Sequence, residues 1–140
     1  MIFSISFLIL GCNANQDPLP RVYVDITLNL NDPMFYEINT PGNYVENIVG
    51  GLAGIIVYYT LEGNYVAFDQ ACTYDFNTNG ARVHVTDAGA GIVKDSICGS
   101  EFSLTNDGAV LKGPATYPLR KYYTTYYPNS NTLRITSFAP

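Results

Sequence analysis

The chain has 140 residues, enough for one domain around a single core and too few for two. Only 14% of them are charged, whereas twelve Tyr, seven Phe and many Val, Ile and Thr suit pleated, half-buried surfaces, so the composition predicts an all-β domain. The net charge is -5 and the seven Lys and Arg are scattered, with only Arg120-Lys121 adjacent, which leaves no basic footprint and excludes nucleic acid as a partner.

In chain order, the first eleven residues, M-I-F-S-I-S-F-L-I-L-G, carry no charge, and the apolar run stops at Cys12. That is far short of the ~20 residues of a membrane-spanning helix and reads as an export segment. The same run would also suit a buried N-terminal strand, which periodicity does not separate from it. Ile9-Leu10-Gly11-Cys12 resembles a bacterial lipobox, which implies that Cys12 is lipidated, becomes the mature N-terminus and anchors the protein to the bacterial envelope. A positively charged leader is missing, so the true start is expected a few residues upstream. Asn13 follows Cys12 where inner-membrane retention signals carry Asp, which favours the outer membrane, facing periplasm or surface. Residues 12–20, C-N-A-N-Q-D-P-L-P, are expected as a short tether, and residues 21–140 as the domain.

Arg21 to Leu30 alternates, with Val22, Val24, Ile26, Leu28 and Leu30 on one side and Tyr23, Asp25, Thr27 and Asn29 on the other, which predicts a strand. Asn31-Asp32-Pro33 breaks it, and Pro41-Gly42 and Gly50-Gly51 punctuate two short segments. Gly54 to Thr60 and Tyr65 to Asp69 are expected as strands around Leu61-Glu62-Gly63-Asn64, a hairpin that delivers the chain to Cys72. Arg82 to Thr86 and Ile92-Val93 read as further strands. Leu119 to Tyr126 and Thr132 to Ile135 should form a closing hairpin over Pro128-Asn129-Ser130-Asn131. No stretch of ten residues has helical periodicity, so almost no α-helix is expected. Tyr122, Tyr123, Tyr126 and Tyr127 suggest either a sugar-stacking face or, the favoured reading, tyrosines that pack sheet surfaces.

The stretch from Asp95 to Tyr122 predicts a tight loop, a short hairpin turning at Asn106-Asp107-Gly108, a second loop stiffened by Pro114 and Pro118, and a strand. Cys98-Gly99-Ser100, Phe102 and Gly113-Pro114-Ala115 resemble the second cluster loop and proline loop of Rieske iron-sulfur domains. Gly54 to Tyr74 is similar to the strand, hairpin, strand and first cluster loop of that family. The resemblance covers roughly residues 51–135 and implies a Rieske-like fold of small antiparallel sheets with two cluster-type loops and a proline loop. In the family the loops read Cys-Thr/Pro-His and Cys-x-x-His-Gly-Ser. By that resemblance Cys72 stands at the first ligand cysteine, Tyr74 at its partner histidine, Asp95 at the second cysteine and Cys98 at the second histidine. Asn77 and Ile97 take the places of bridging cysteines, and Ser100 matches a serine that hydrogen-bonds the cluster. A Rieske site needs two histidines on one iron, and the chain has one His, His84, elsewhere. The chain is also similar to exported Bacteroidetes lipoproteins with an altered Rieske pattern, in which Tyr is frequent in the first loop.

Thiolate, phenolate and carboxylate can all ligate iron, but two hard oxygen ligands suit a sulfide-bridged cluster poorly. No bound cofactor is therefore expected, with a 2Fe-2S cluster on Cys72, Tyr74, Asp95 and Cys98 as the alternative. A zinc site from Cys72, Cys98, Asp95 and His84 matches no zinc spacing, and no metal is expected. With Cys12 lipidated, two cysteines remain. In a Rieske fold their loops face each other across the cluster, so without it a Cys72 to Cys98 disulfide could join them and contribute ~3 to 4 kcal/mol.

The function expected from this reading is a non-enzymatic, lipid-anchored interaction or envelope module with a protein partner, its cluster lost. An electron-transfer protein with non-standard ligands is the alternative, and a thiol-disulfide redox protein the third. Asp75, Asp95 and Glu101 would raise thiol pKa and count against the last. One His and no nucleophile elbow leave no catalytic triad, so no catalytic residue is assigned.

Overall fold

A computed structural model describes residues 17–140. The expected export segment and the expected lipidation site, Cys12, lie outside the described residues. No helix among the described residues is long and apolar enough to cross a membrane.

The architecture is the expected all-β one. Ten strands follow in order: β1 Asp25–Asn29, β2 Tyr44–Ile48, β3 Ile55–Tyr59, β4 Tyr65–Asp69, β5 Val83–Asp87, β6 Ile92–Asp95, β7 Glu101–Ser103, β8 Ala109–Lys112, β9 Lys121–Tyr127 and β10 Thr132–Thr136. They form a six-stranded antiparallel sheet, β1-β10-β9-β4-β3-β2, and a four-stranded antiparallel meander, β5-β6-β7-β8. The alternation of Arg21 to Leu30 is realised, with Val24, Leu28 and Leu30 buried and Tyr23, Asp25 and Asn29 exposed. The 3₁₀ helix Pro33–Asn39 was not expected. Asp32 Oδ1 accepts from Met34 N at 2.9 Å and Pro33 opens the helix, so the residues that break β1 also cap this helix.

The run Ile55-Ile56-Val57-Tyr58 shows why β3 is apolar throughout. Ile55 and Val57 join one core with Leu28, Leu30, Ile38, Leu133 and Ile135, while Ile56 and Tyr58 join a second with Phe68, Val83, Val93, Phe102 and Leu119. The period of two sends neighbours to opposite faces, and both faces are covered. β3 and β4 are therefore the wall shared by two cores, and the meander packs on the outer one.

Residues Asp17 to Pro20, expected within the tether, belong to the folded domain. Leu19 is buried against Ala53 and Ala71 with Phe76 beside them. Arg120 bonds Asp17 at 2.7 Å and the carbonyl oxygens of Leu19 and Pro20, and Asn77 Nδ2 donates to Pro18 O at 3.0 Å. Of the tyrosines, Tyr122 is buried, and Tyr126 lies 5.3 Å from Tyr65, which itself stacks on Tyr59 at 4.3 Å. Tyr122 thus follows the sheet-packing reading, whereas Tyr123, Tyr126 and Tyr127 are exposed.

Candidate functional site

Three loops converge at one end of the outer core. The first leaves β4 through Asp69, which is fully buried and organises the turn. Its carboxylate accepts from Leu52 N at 2.7 Å, Ala53 N at 3.1 Å, Ala71 N at 2.9 Å and Tyr122 Oη at 2.6 Å. Gly51, at φ +66°, is required here because a Cβ would lie 2.4 Å from Asp69 Oδ2. Immediately after Ala71 the chain enters the loop. Cys72 N bonds Ala81 O at 3.0 Å and Cys72 O accepts from Phe76 N at 3.1 Å, leading into the four-residue helix α1, Phe76–Asn79.

The second loop joins β6 to β7. Asp95 N donates to Ser100 O and Gly99 N to Asp95 O, both at 2.9 Å, and Gly99 adopts φ +82°. The turn points the Asp95 carboxylate inward, where Oδ1 accepts from Ile97 N at 2.8 Å. The third loop, with a cis Gly113-Pro114 bond, closes over both. Ala115 N donates to Ser100 Oγ at 2.9 Å, and Thr73 Oγ1 donates to Tyr117 O at 2.7 Å.

Together the loops bring Cys72, Asp75, Asp95 and Cys98 into one group, one donor atom from each lying within 4.8 Å of the others. Cys72, Asp75 and Asp95 are buried and Cys98 is half-buried. The two sulfurs are 3.9 Å apart, and Cys98 Sγ lies 3.1 Å from Asp95 Oδ2 and 3.0 Å from Ser100 Oγ. Burial pushes the Cys72 thiol far up, and its hydrogen bond to Asp95 adds to this. Burial likewise raises the Asp75 carboxyl, reinforced by Asp95. Burial also works against ionised Asp95, but the hydrogen bonds from Ile97 N–H, Cys72, Asp75 and Cys98 outweigh it and hold this carboxyl below its ordinary value. A buried, neutral Cys72 is a poor nucleophile, which counts against thiol-disulfide exchange.

The structure corrects the expected site at two points. Tyr74 is 57% exposed and outside the group, and Asp75 stands inside in its place. The Phe76 N to Cys72 O bond winds the chain so that the third residue after Cys72 turns inward and the second outward. Asp75 was legible only as a nearby charge. The expected Cys72 to Cys98 disulfide is not formed: both cysteines are free, and 3.9 Å is well beyond a bond of ~2.05 Å. Ser100, expected at the position of a cluster-bonding serine, has its Oγ 3.0 Å from Cys98 Sγ and accepts from Ala115 N. His84 is exposed, 3.5 Å from Glu46 Oε1, and takes no part, as anticipated. Asn77 and Ile97, at the bridging-cysteine positions, are both exposed.

These residues do not fit a Rieske cluster. Two sulfide-bridged irons set ligand atoms on opposite irons farther apart than the ligands of one ion, and take soft sulfur or imidazole donors. By the resemblance Cys72 and Cys98 would serve opposite irons, yet their sulfurs are 3.9 Å apart and the whole group spans at most 4.8 Å. Its other two donors are carboxylates, hard ligands that such clusters do not select.

No protein-family model matches the chain, and no curated protein sequence does. Among solved structures the chain is similar to the ferredoxin of carbazole 1,9a-dioxygenase from Nocardioides aromaticivorans IC177, at 17% identity over 69% of this chain and 86% of that one, with a TM-score of 0.47. It is also similar to a chain described as an NADH-dependent nitrite reductase small subunit from Mycobacterium tuberculosis, at 16% identity over 86% of this chain and all (100%) of that one, with a TM-score of 0.49.

Proposed function

We propose that this chain is a Rieske-fold domain that works without an iron-sulfur cluster, as a non-enzymatic module of the bacterial envelope. The observation that carries the reading is the closed group of Cys72, Asp75, Asp95 and Cys98, too compact and too rich in carboxylate for a 2Fe-2S cluster. The three loops instead expose an apolar side chain each, Tyr74, Ile97 and Tyr117, at the end of the domain where the family would carry redox chemistry. Side chains of this kind serve a protein partner. The lipobox resemblance supports an anchor at Cys12 and an exported location, on the outer membrane. Mass spectrometry of the N-terminal peptide would read the lipid directly.

The test is the iron and acid-labile sulfide content, with a visible spectrum, of the full chain purified anaerobically. The expected result is a colourless protein with neither iron nor sulfide. Iron and sulfide in equal amounts, with absorbance that bleaches on reduction, would overturn the reading and make the protein an electron carrier with non-standard ligands.

A further inference from the structure

We propose that the two loops hold a single four-coordinate divalent metal ion, Zn²⁺ by the donor set, on Cys72 Sγ, Cys98 Sγ and one carboxylate oxygen each from Asp75 and Asp95. The inference rests on the reading that the iron-sulfur cluster is absent, and says what the closed site does instead.

Size is the first argument. A tetrahedral ion with metal-sulfur bonds of ~2.3 Å and metal-oxygen bonds of ~2.0 to 2.2 Å sets its donors roughly 3.3 to 3.8 Å apart. The sulfurs here are 3.9 Å apart, Cys98 Sγ is 3.1 Å from Asp95 Oδ2, and no pair of the four donors exceeds 4.8 Å. A binuclear cluster is too large for this space, and a single ion fills it.

Asp75 supplies the second and independent argument. Its Oδ1 is buried without a hydrogen-bond partner, in a residue only 4% exposed. A buried carboxyl oxygen left unpaired requires an explanation, and a cation in the space it shares with two thiols and a second carboxyl provides one. Protein charge does not. Of the seven Lys and Arg, Arg82, Lys94, Arg120, Lys121 and Arg134 are each engaged elsewhere, with Ala53 O, Glu101, Asp17, Asp107 and Asp25, and Arg21 and Lys112 are exposed.

The backbone also favours a thiolate at Cys98, whose Sγ accepts from Ser100 N at 3.4 Å. Thiolate sulfur excludes calcium and magnesium, and mixed sulfur and oxygen donors suit zinc. With four protein donors and three of the residues buried, no position is left for water, so the ion is structural. On binding, two metal-sulfur and two metal-oxygen bonds form in place of the ion's bonds to water, the protons of the thiols and of any protonated carboxyl pass to solvent, and no electron is transferred.

The full chain, purified under nitrogen without chelator, is analysed for zinc, iron and sulfide. It is then stripped and titrated with Zn²⁺ and with Co²⁺, whose thiolate charge-transfer and visible bands report tetrahedral sulfur ligation. One zinc per chain without sulfide, and a cobalt spectrum of this kind, is the expected result. Asp75→Asn, which keeps the side-chain shape, should weaken metal affinity about 100-fold or more without unfolding the protein, and Cys98→Ser should abolish the charge-transfer band. A metal-free protein with titratable thiols and no cobalt spectrum would overturn this inference and leave the cluster-free reading standing. Two irons and two sulfides per chain would overturn both.

Discussion

Removal of the Asp69 carboxylate is the sharpest perturbation of the scaffold behind the site. Its two oxygens take two donors each: Ala53 N and Ala71 N on Oδ1, Leu52 N and Tyr122 Oη on Oδ2. Asp69→Ala strands all four, and each buried donor left without an acceptor costs about 1 to 3 kcal/mol. A plain sum overshoots, because the vacated space admits water and the 50–54 turn relaxes, so a loss of about 3 to 5 kcal/mol is expected, as for a broken buried charge network. Total stability is about 5 to 15 kcal/mol for a domain of this kind, so the variant should sit near the edge of folding. Asp69→Asn should lose about half as much, because its amide nitrogen faces two donors while the remaining oxygen still serves two. Tyr122→Phe, which removes one bond, should cost about 1 to 2 kcal/mol. The assay is urea unfolding followed by far-UV circular dichroism. At a slope near ~1.5 kcal/mol/M, Asp69→Ala should move the midpoint down by about 2 to 3 M with the slope unchanged. A shift under ~0.5 M would refute the idea that this carboxylate organises the turn before Cys72. Gly51→Ala tests the same network by another route, since its Cβ would lie 2.4 Å from Asp69 Oδ2 and should destabilise by about 2 kcal/mol or more.

Three further outcomes are expected. Ser100→Ala removes the acceptor of Ala115 N–H and should cost about 1 to 2 kcal/mol, with amide exchange quickening at Ala115 and Tyr117 before the rest of the domain; uniform exchange across the chain would refute the coupling. Arg120→Ala should release Asp17 to Pro20, seen as new proteolytic cleavage near Pro20 while the domain stays folded, whereas unchanged cleavage would mean that Leu19 alone holds the segment. The Arg134 guanidinium hydrogen-bonds Asp25 and holds its carboxyl below the usual range. A depressed folded-state pKa stabilises above the unfolded value of ~3.9 and loses that contribution as pH falls through the folded value. The midpoint difference between the parent and Arg134→Gln should therefore be constant near neutrality and shrink below about pH 4, and a difference independent of pH would exclude the ion pair as its source.

Local pattern alone determined most of the fold. The alternation from Arg21 to Leu30, the paired strands around Leu61 to Asn64 and the closing hairpin at Pro128 to Asn131 each rest on side chains a few residues apart, and each is present in the structure. The loops were legible for the same reason, since Gly99, Gly108 and Pro114 answer to backbone geometry that needs no distant partner. Tertiary structure decided the rest. Tyr74 and Asp75 are adjacent, and only the winding of the chain from Cys72 into α1 sets which one turns inward. The separation of Cys72 and Cys98 depends on how closely two loops from different sheets approach, and Thr73, Ser100 and the proline loop set it at 3.9 Å, neither a disulfide nor the span of a cluster. Asp69 was read as the last residue of a strand. Its role as acceptor for Leu52, Ala53, Ala71 and Tyr122 exists only once segments up to 53 residues apart in the chain meet, because a buried carboxylate is defined by the donors that the fold brings to it.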